Sequence, residues 1–386
     1  MDLCTDTFAD LSGRLGFTCA DAGGLVEFRS PLGLANWTLP VLEATIVLGA
    51  VLTLGYAIIR LRRHGDPTNL VLWLGATAYL FVIEPPLYFP GAFGIADHVD
   101  TMFAHNLFGV EFLWGRLPLY IVAIYPTMAT IAYEIVRMLG VFGRYGTVIG
   151  AICVGFVHHL FYEIFDHLGP QLRWWEWATD NPLNQPMFTS VPMGSVVVFA
   201  TLWPVSLAFC VRWSVGKPTD EGRRFTAGEL GYRTVAVGLL ASLGTFLLPL
   251  PATVIGLAGD TARGLVYAAE LAVIVVIGVL VLARQWVRIR REPADPHRYT
   301  DNPVRWYAAG YLLVFAVLWI TALPDYLGAV DGVTETGDPI GSLWYAALCF
   351  VAATACVLAV FTIPSGRRPA SVSDRRGDRH VQGQST

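Results

Sequence analysis

The sequence predicts an all-α polytopic membrane helix bundle of about nine transmembrane helices, with the N-terminus outside and the C-terminus cytoplasmic. Three observations lead there. Of 386 residues, 54% are hydrophobic and only 15% charged, where an ordinary soluble domain carries roughly 25%. Apolar stretches of about 20 residues recur along the chain, the length a helix needs to cross the hydrocarbon core with every backbone group satisfied inside the segment. Lys and Arg then fall mostly on one side of those stretches: the loops after spans 1, 3, 5 and 7, their helix ends and the tail hold 21 of the 26, the pattern of cytoplasmic loops.

The N-terminal segment, 1–38, begins MDLCTDTFAD. It is acidic where a secretory signal would be basic, so the first apolar stretch is expected to remain as a membrane helix. Cys4 and Cys19 both fall in this outside segment, where an oxidising environment would permit a disulfide. The transmembrane domain, 39–364, contains spans at about 39–61, 68–87, 116–138, 145–165, 190–213, 228–250, 262–288, 303–324 and 341–363. The outside face holds only Arg14, Arg29, Arg116, Arg173 and Arg263, beside acidic groups such as Asp97, Asp100, Asp180, Asp331, Glu335 and Asp338. An odd number of spans and the charge count independently put the two ends on opposite sides. Cys153, Cys210, Cys349 and Cys356 fall within spans and read as small packing residues.

Two outside segments, 88–115 and 166–189, are too long and too aromatic for plain linkers and are expected to fold back over the outer mouth. Their tryptophans have a simpler reading as an interfacial belt. The tail, 365–386, is polar and lacks an apolar face, so burial cannot offset its ordering entropy; a disordered cytoplasmic tail is expected. A net charge of −4 with no dense basic block disfavours nucleic acid as a partner. No CxxC pair or Cys/His spacing of a tetrahedral zinc site occurs.

Ionisable residues inside a membrane span are costly, which makes each one a functional hypothesis. Span 4 has the densest set, GFVHHLFYEIFDHLGP. Helical spacing puts His159, Glu163, Asp166 and His167 on one stripe, with His158 and Tyr162 on an adjacent one. The set ends a helix before Gly169-Pro170, where the macrodipole is negative and works against an ionised carboxylate. Glu163 and Asp166 are therefore expected as proton donor or paired acid, with His159 and His167 tuning them. Polar glue between helices is the plainer reading. A divalent metal is a further one, with His98, Asp100, His105 and Glu111 completing a shell around His159, Glu163 and His167. No resident cofactor is expected otherwise.

Glu84 follows an apolar run and precedes Pro85-Pro86, which are expected to end the helix there. Spans 2 and 4 run in the same direction, so Glu84 is expected at an outer depth similar to that of Glu163, as a second acid. Trp174, Trp175, Trp177, Tyr162, His158 and Asn181 are the expected substrate-facing groups. Glu43, Glu134 and Glu270 are weaker candidates, Glu270 being the one most surrounded by apolar residues.

From span 3 to span 5, about residues 117–205, the order is Tyr125-Pro126 early in a helix, Asp166 at a helix end, Gly169-Pro170, Trp174-Trp175-Glu176-Trp177, then Val191-Pro192 opening the next helix. This stretch resembles the integral-membrane carotenoid biosynthesis proteins that include the bacterioruberin-type hydratases. The resemblance implies acid-initiated chemistry on an isoprenoid double bond, in which an acid protonates the alkene, aromatic faces stabilise the carbocation, and water or an internal alkene captures it. Hydration, cyclisation and isomerisation share those first steps.

The residues and the resemblance together point to a lipid- or isoprenoid-modifying enzyme in the plasma membrane of a bacterium. Its partners would be an apolar lipid or isoprenoid substrate from the bilayer and the membrane lipids themselves. On this reading Glu163→Gln loses at least about 10²-fold in activity. A proton- or ion-coupled transporter is the alternative of another class, although the polar groups cluster at one face and no paired broken helices occur. A non-catalytic scaffold subunit is the third.

Overall fold

The computed structural model describes residues 4–19, 23–29, 34, 36–96, 99–291 and 302–363. The expected tail, 365–386, lies outside them. Nine helices among the described residues are long and apolar enough to cross a membrane, so the chain has the elements of a membrane helix bundle. They are α2 (Thr38–His64), α3 (Thr68–Tyr88), α4 (Leu119–Met138), α5 (Val141–Asp166), α6 (Ser195–Asp220), α7 (Ala227–Ala258), α8 (Asp260–Arg291), α9 (Pro303–Gly328) and α10 (Leu343–Phe361). A tenth helix, α1 (Asp6–Leu15), belongs to the loops.

Local chemistry accounts for most helix ends. Three basic residues, Arg62, Arg63 and His64, close α2, and Gly65 caps it with a left-handed φ of 63° and its N–H on the carbonyls of Arg60 and Leu61. Pro85 and Pro86 do not end α3, as the sequence suggested. They occupy its last turn, which continues to Tyr88 and closes with the Phe89 N–H on Pro85 O at 3.0 Å. The cost is confined to the carbonyls of Phe81 and Val82, which lose their donors. Helix α5 starts earlier than expected, at Val141, and absorbs a kink at Gly146 (φ 79°). Helix α6 opens in wide π turns over Ser195–Leu202, the Trp203 N–H reaching back to Val198 O. Helix α7 is interrupted beside Pro249 and resumes at Leu250.

Helix α5 lies at the centre, packed against α4, α6, α8 and α10; α4 in turn packs against α2 and α3. With apolar lipid around the bundle, such contacts depend on close packing more than on water exclusion. At Gly155 a methyl would sit 2.7 Å from Thr201 O, so the missing side chain is what brings the wide turns of α6 against α5.

At the far end from α5's last turn, Asp66 accepts from Arg60 at 2.6 Å and from Arg137. Beside it Glu134 accepts from Tyr56 at 3.0 Å and from Asn302. This network ties α2, α4 and the start of α9.

The described chain is mostly helix, in keeping with the expected helix bundle, and its few strands are short and gather at the other end. The long segments 88–115 and 166–189 do fold back, and they do so as short antiparallel strands. Strand β1 (Val26–Arg29) pairs with β3 (Gly109–Phe112), which pairs with β4 (Leu117–Pro118); β2 (Phe103–His105) pairs with β5 (Trp175–Trp177); β6 (Met187–Phe188) pairs with β7 (Val191–Pro192). Val191-Pro192 thus closes a hairpin before α6 instead of opening the helix. Pairing satisfies backbone groups that a loop folded over a protein surface would otherwise leave unmet. Helix α1 lies behind β2: Phe8, Leu11 and Leu15 form a small separate core with Phe17, Ala104, Leu107 and Ala178. A disulfide joins Cys4 to Cys19 across it, the option the sequence left open.

Candidate active site

The β2–β5 pair is the roof of the site. Its register sets Phe103 opposite Trp177 and His105 opposite Trp175. Alternation along a strand then divides the residues between two faces. Ala104 turns to α1, and Glu176 binds Arg14 at 3.1 Å. Phe103, His105, Trp175 and Trp177 all line a narrow cavity of about 40 Å³ on the opposite face.

The walls and floor of that cavity come from the bundle: Glu84 on α3, Ile121, Ile124 and Tyr125 on α4, Tyr162, Phe165 and Asp166 on α5, and Ser195 and Phe199 on α6. Two carboxyl groups therefore share one small, mostly aromatic space. Glu84 accepts from the Tyr125 hydroxyl through Oε1. Asp166 accepts from the Ser195 hydroxyl through Oδ2 at 2.7 Å. The remaining oxygens, Glu84 Oε2 and Asp166 Oδ1, are buried without a hydrogen-bond partner in the protein.

A second, smaller pocket of about 10 Å³ shares Ile124, Tyr125, Tyr162 and Phe199 with the cavity and adds His158 and Trp203. His158 stacks on Tyr162 with ring centroids 5.5 Å apart. Its Nδ1 donates to the Ala200 carbonyl at 2.8 Å. Pro204, four residues beyond Ala200, has no N–H to offer that carbonyl, so the side chain of α5 supplies the donor.

The structure divides the acidic stripe of α5. Asp166 and Tyr162 face the cavity, whereas Glu163 does not line it. Glu163 lies between two histidines, with His167 Nε2 at 3.3 Å and His159 Nδ1 at 3.9 Å. Donor counting fixes both tautomers. The Ser342 N–H can only donate, so His167 accepts through Nδ1 at 3.2 Å and carries its proton on Nε2, toward Glu163. The Thr201 hydroxyl gives its proton to Val196 O at 3.0 Å, so His159 Nδ1 donates to it at 2.9 Å, and His159 Nε2 accepts from Tyr345 at 2.7 Å. Burial pushes the His167 imidazole down to about 4, which agrees with a neutral ring.

Most of the other expected residues lie away from the cavity. The Trp174 ring is fully buried beside Phe165 and Phe315, and its N–H binds Thr38 Oγ1 at 2.9 Å; it is a packing residue. Asn181 is a loop brace, its amide on the carbonyls of Asp100 and Thr101 at 3.2 and 3.3 Å and its oxygen on the Leu183 N–H. Glu84 shares its pocket with Asp166, not with Glu163. The proposed metal shell is dispersed: Asp100 bonds Thr7 at 2.8 Å, Glu111 pairs with Arg29 at 3.3 Å, His105 lines the cavity, and His98 lies outside the described residues. Among the described residues no group of three or more His, Cys, Asp or Glu side chains is placed to hold a metal ion. Glu270, on α8, is not among the lining residues.

Comparison with family models, with curated proteins and with solved structures gives no match. The site is therefore read from its own geometry. Eight of its lining residues, Phe103, His105, Ile121, Ile124, Tyr125, Phe165, Ser195 and Phe199, were not among the catalytic or substrate-facing groups expected from the sequence. One signal was available for His105: Phe103-x-His105 repeats the spacing of Trp175-x-Trp177, as two strands sharing a face require. Chemically the arrangement offers two carboxyl groups, aromatic faces able to stabilise a cation, and an imidazole that burial pushes down to about 3 and so keeps neutral.

Proposed function

We propose that this protein is an integral-membrane enzyme that acts on an isoprenoid-like alkene by acid-initiated chemistry. The observation that carries the reading is the shared cavity of Glu84 and Asp166 beneath an aromatic roof. One carboxyl, Asp166 or Glu84, delivers its proton to an alkene carbon. The cation left on the neighbouring carbon lies among the rings of Tyr125, Tyr162, Phe165, Trp175, Trp177 and Phe199. Such faces stabilise a desolvated cation by about 2 kcal/mol or more each. The other carboxyl, as a carboxylate, adds electrostatic stabilisation where charge develops.

Several features fit this reading. The cavity is narrow and lined mostly by apolar and aromatic side chains, which suits the end of a hydrocarbon chain better than a bulky polar solute. An apolar substrate would reach it from the bilayer, with the roof and the N-terminus outside, the C-terminus cytoplasmic, and the plasma membrane of a bacterium as the setting.

The test is untargeted mass spectrometry of lipid extracts from an isoprenoid-producing host expressing the wild type, Asp166→Asn, Glu84→Gln or no protein. A hydrated or isomerised isoprenoid that needs the protein and both carboxyls is expected. Equal lipid profiles in all four, with the protein present in the membrane, would reject the proposal.

A further inference from the structure

Five buried polar atoms with no hydrogen-bond partner in the protein belong to residues lining this one cavity: Glu84 Oε2, Asp166 Oδ1, His105 Nδ1, Trp175 Nε1 and Trp177 Nε1. Buried polar atoms are satisfied in the great majority of cases, and a cluster of exceptions marks a place built for a polar guest. The space, about 40 Å³, exceeds the ~10–15 Å³ that one water needs, and a bound water wants two to four polar partners. Donors and acceptors are both present: the indole N–H groups donate only, and the imidazole nitrogen can accept.

We infer that His105 is a catalytic base and that the roof strands hold the water it activates, across the cavity from Glu84 and Asp166. The inference rests on the proposed alkene protonation and narrows its outcome to addition of water. His105 and Trp175 are opposite residues of an antiparallel pair, a spacing of about 5 Å between Cβ atoms. One indole N–H can thus bind a lone pair of the water while the imidazole takes one of its hydrogens. The second lone pair is left for carbon.

The balance closes. A carboxyl proton forms the new C–H bond and leaves a carboxylate. The water oxygen forms the C–O bond, and the excess proton passes to the imidazole, giving an alcohol and an imidazolium. Burial among Tyr88, Phe103 and Tyr120 disfavours that imidazolium, pushing its group down to about 3, so it returns the proton to the carboxylate. The net change is alkene plus water to alcohol. His105 must be neutral at the start, which the same burial provides.

The experiment uses the full-length protein in membranes, with vesicles of squalene, geranylgeraniol and lycopene as probes, in water enriched in deuterium and ¹⁸O. Deuterium entering carbon reports alkene protonation; ¹⁸O entering the product reports water capture. The wild type is expected to introduce both. His105→Gln is expected to lose ¹⁸O product by about 10²-fold or more while deuterium still enters recovered or isomerised alkene. Loss of both labels together in an inserted His105→Gln protein, or wild-type ¹⁸O yield from it, overturns the inference. Trp175→Phe and Trp177→Phe keep an aromatic face, on a smaller ring, and remove the N–H groups, and cover the case in which His105→Gln does not insert. At least one should lower the ¹⁸O-to-deuterium ratio, and an unchanged ratio in both overturns the inference. Deuterium without ¹⁸O in the wild type overturns the role of His105 alone, whereas neither label with any probe overturns the proposed function itself.

Discussion

The Ser195 hydroxyl donates to Asp166 Oδ2 at 2.7 Å, and this single bond joins the first turn of α6 to the last turn of α5 at the wall of the cavity. It leaves Oδ1 as the unpartnered oxygen. Glu163, three residues earlier on the same helix, stands beside His167 instead. Asp166→Asn and Glu84→Gln, which keep shape but cannot donate an acid proton, should each cut product formation by about 10²-fold or more. Glu163→Gln should cost less than about tenfold, the smaller effect of a residue outside the cavity. Product per inserted protein in the three variants checks this, and a Glu163→Gln loss equal to that of Asp166→Asn would relocate the acid.

Ser195→Ala tests the positioning of that acid. Losing the hydroxyl leaves a buried carboxyl oxygen unsatisfied, a cost of about 1–3 kcal/mol. Part of it should appear as a several-fold fall in kcat with KM little changed, because the substrate's apolar contacts remain. Ser195→Thr, which retains the hydroxyl, should recover most of the rate. Steady-state kinetics on membranes would decide it, and a pure KM effect would count against the assignment.

The helices were legible because each is a long apolar run, and the acids were legible because a charge inside such a run needs a reason. Glu84 and Asp166 were read this way, and both line the cavity, as do Tyr162, read from helical spacing, and Trp175 and Trp177, read from an aromatic loop. The division of α5 was not, since three residues of helix turn the side chain by about 60° from its neighbour, too little to separate by spacing alone. Trp174 and Asn181 looked like ligand-binding groups because the partners that satisfy them, Thr38 Oγ1 and the carbonyls of Asp100 and Thr101, are far away in sequence. The roof strands are three residues long each. No periodicity is measurable over that length, and only pairing across some 70 residues, as in His105 with Trp175, defines them.

At the other end of the bundle, Asp66→Asn should destabilise the protein by about 3 kcal/mol, because it strips the shared carboxylate from two largely buried guanidinium groups. Burial opposes ionisation of Asp66, but Arg137 and Arg60 outweigh it and hold the carboxyl well below the usual carboxylate range. A group lowered on folding contributes stability that is complete above its unfolded value and is lost as pH falls below that value toward the folded one. The wild type in detergent should therefore lose thermal stability below about pH 4, and Asp66→Asn should lower the midpoint at neutral pH while flattening that acid dependence. An unchanged midpoint at neutral pH would show that the two arginines do not depend on Asp66.

The opposite sign is expected at Glu111. It stands across from Glu27 on β1, with Arg29 Nε 3.3 Å away. Burial raises the group, Arg29 opposes that and Glu27 adds to it, and the result is about 7 against an ordinary value of 4.5. A group raised on folding contributes stability that is complete below its unfolded value and is lost as pH climbs through the folded one. At roughly 1.4 kcal/mol per unit, the contribution is at most about 3 kcal/mol. Amide exchange of residues 109–112 in the intact protein, corrected for the intrinsic pH dependence of exchange, should show protection falling from pH 5 to pH 8. Glu111→Gln, which resembles the protonated carboxyl, should hold protection level across that range. Protection in the wild type that rises with pH would mean that Arg29 prevails and that the strand pair is built around a carboxylate.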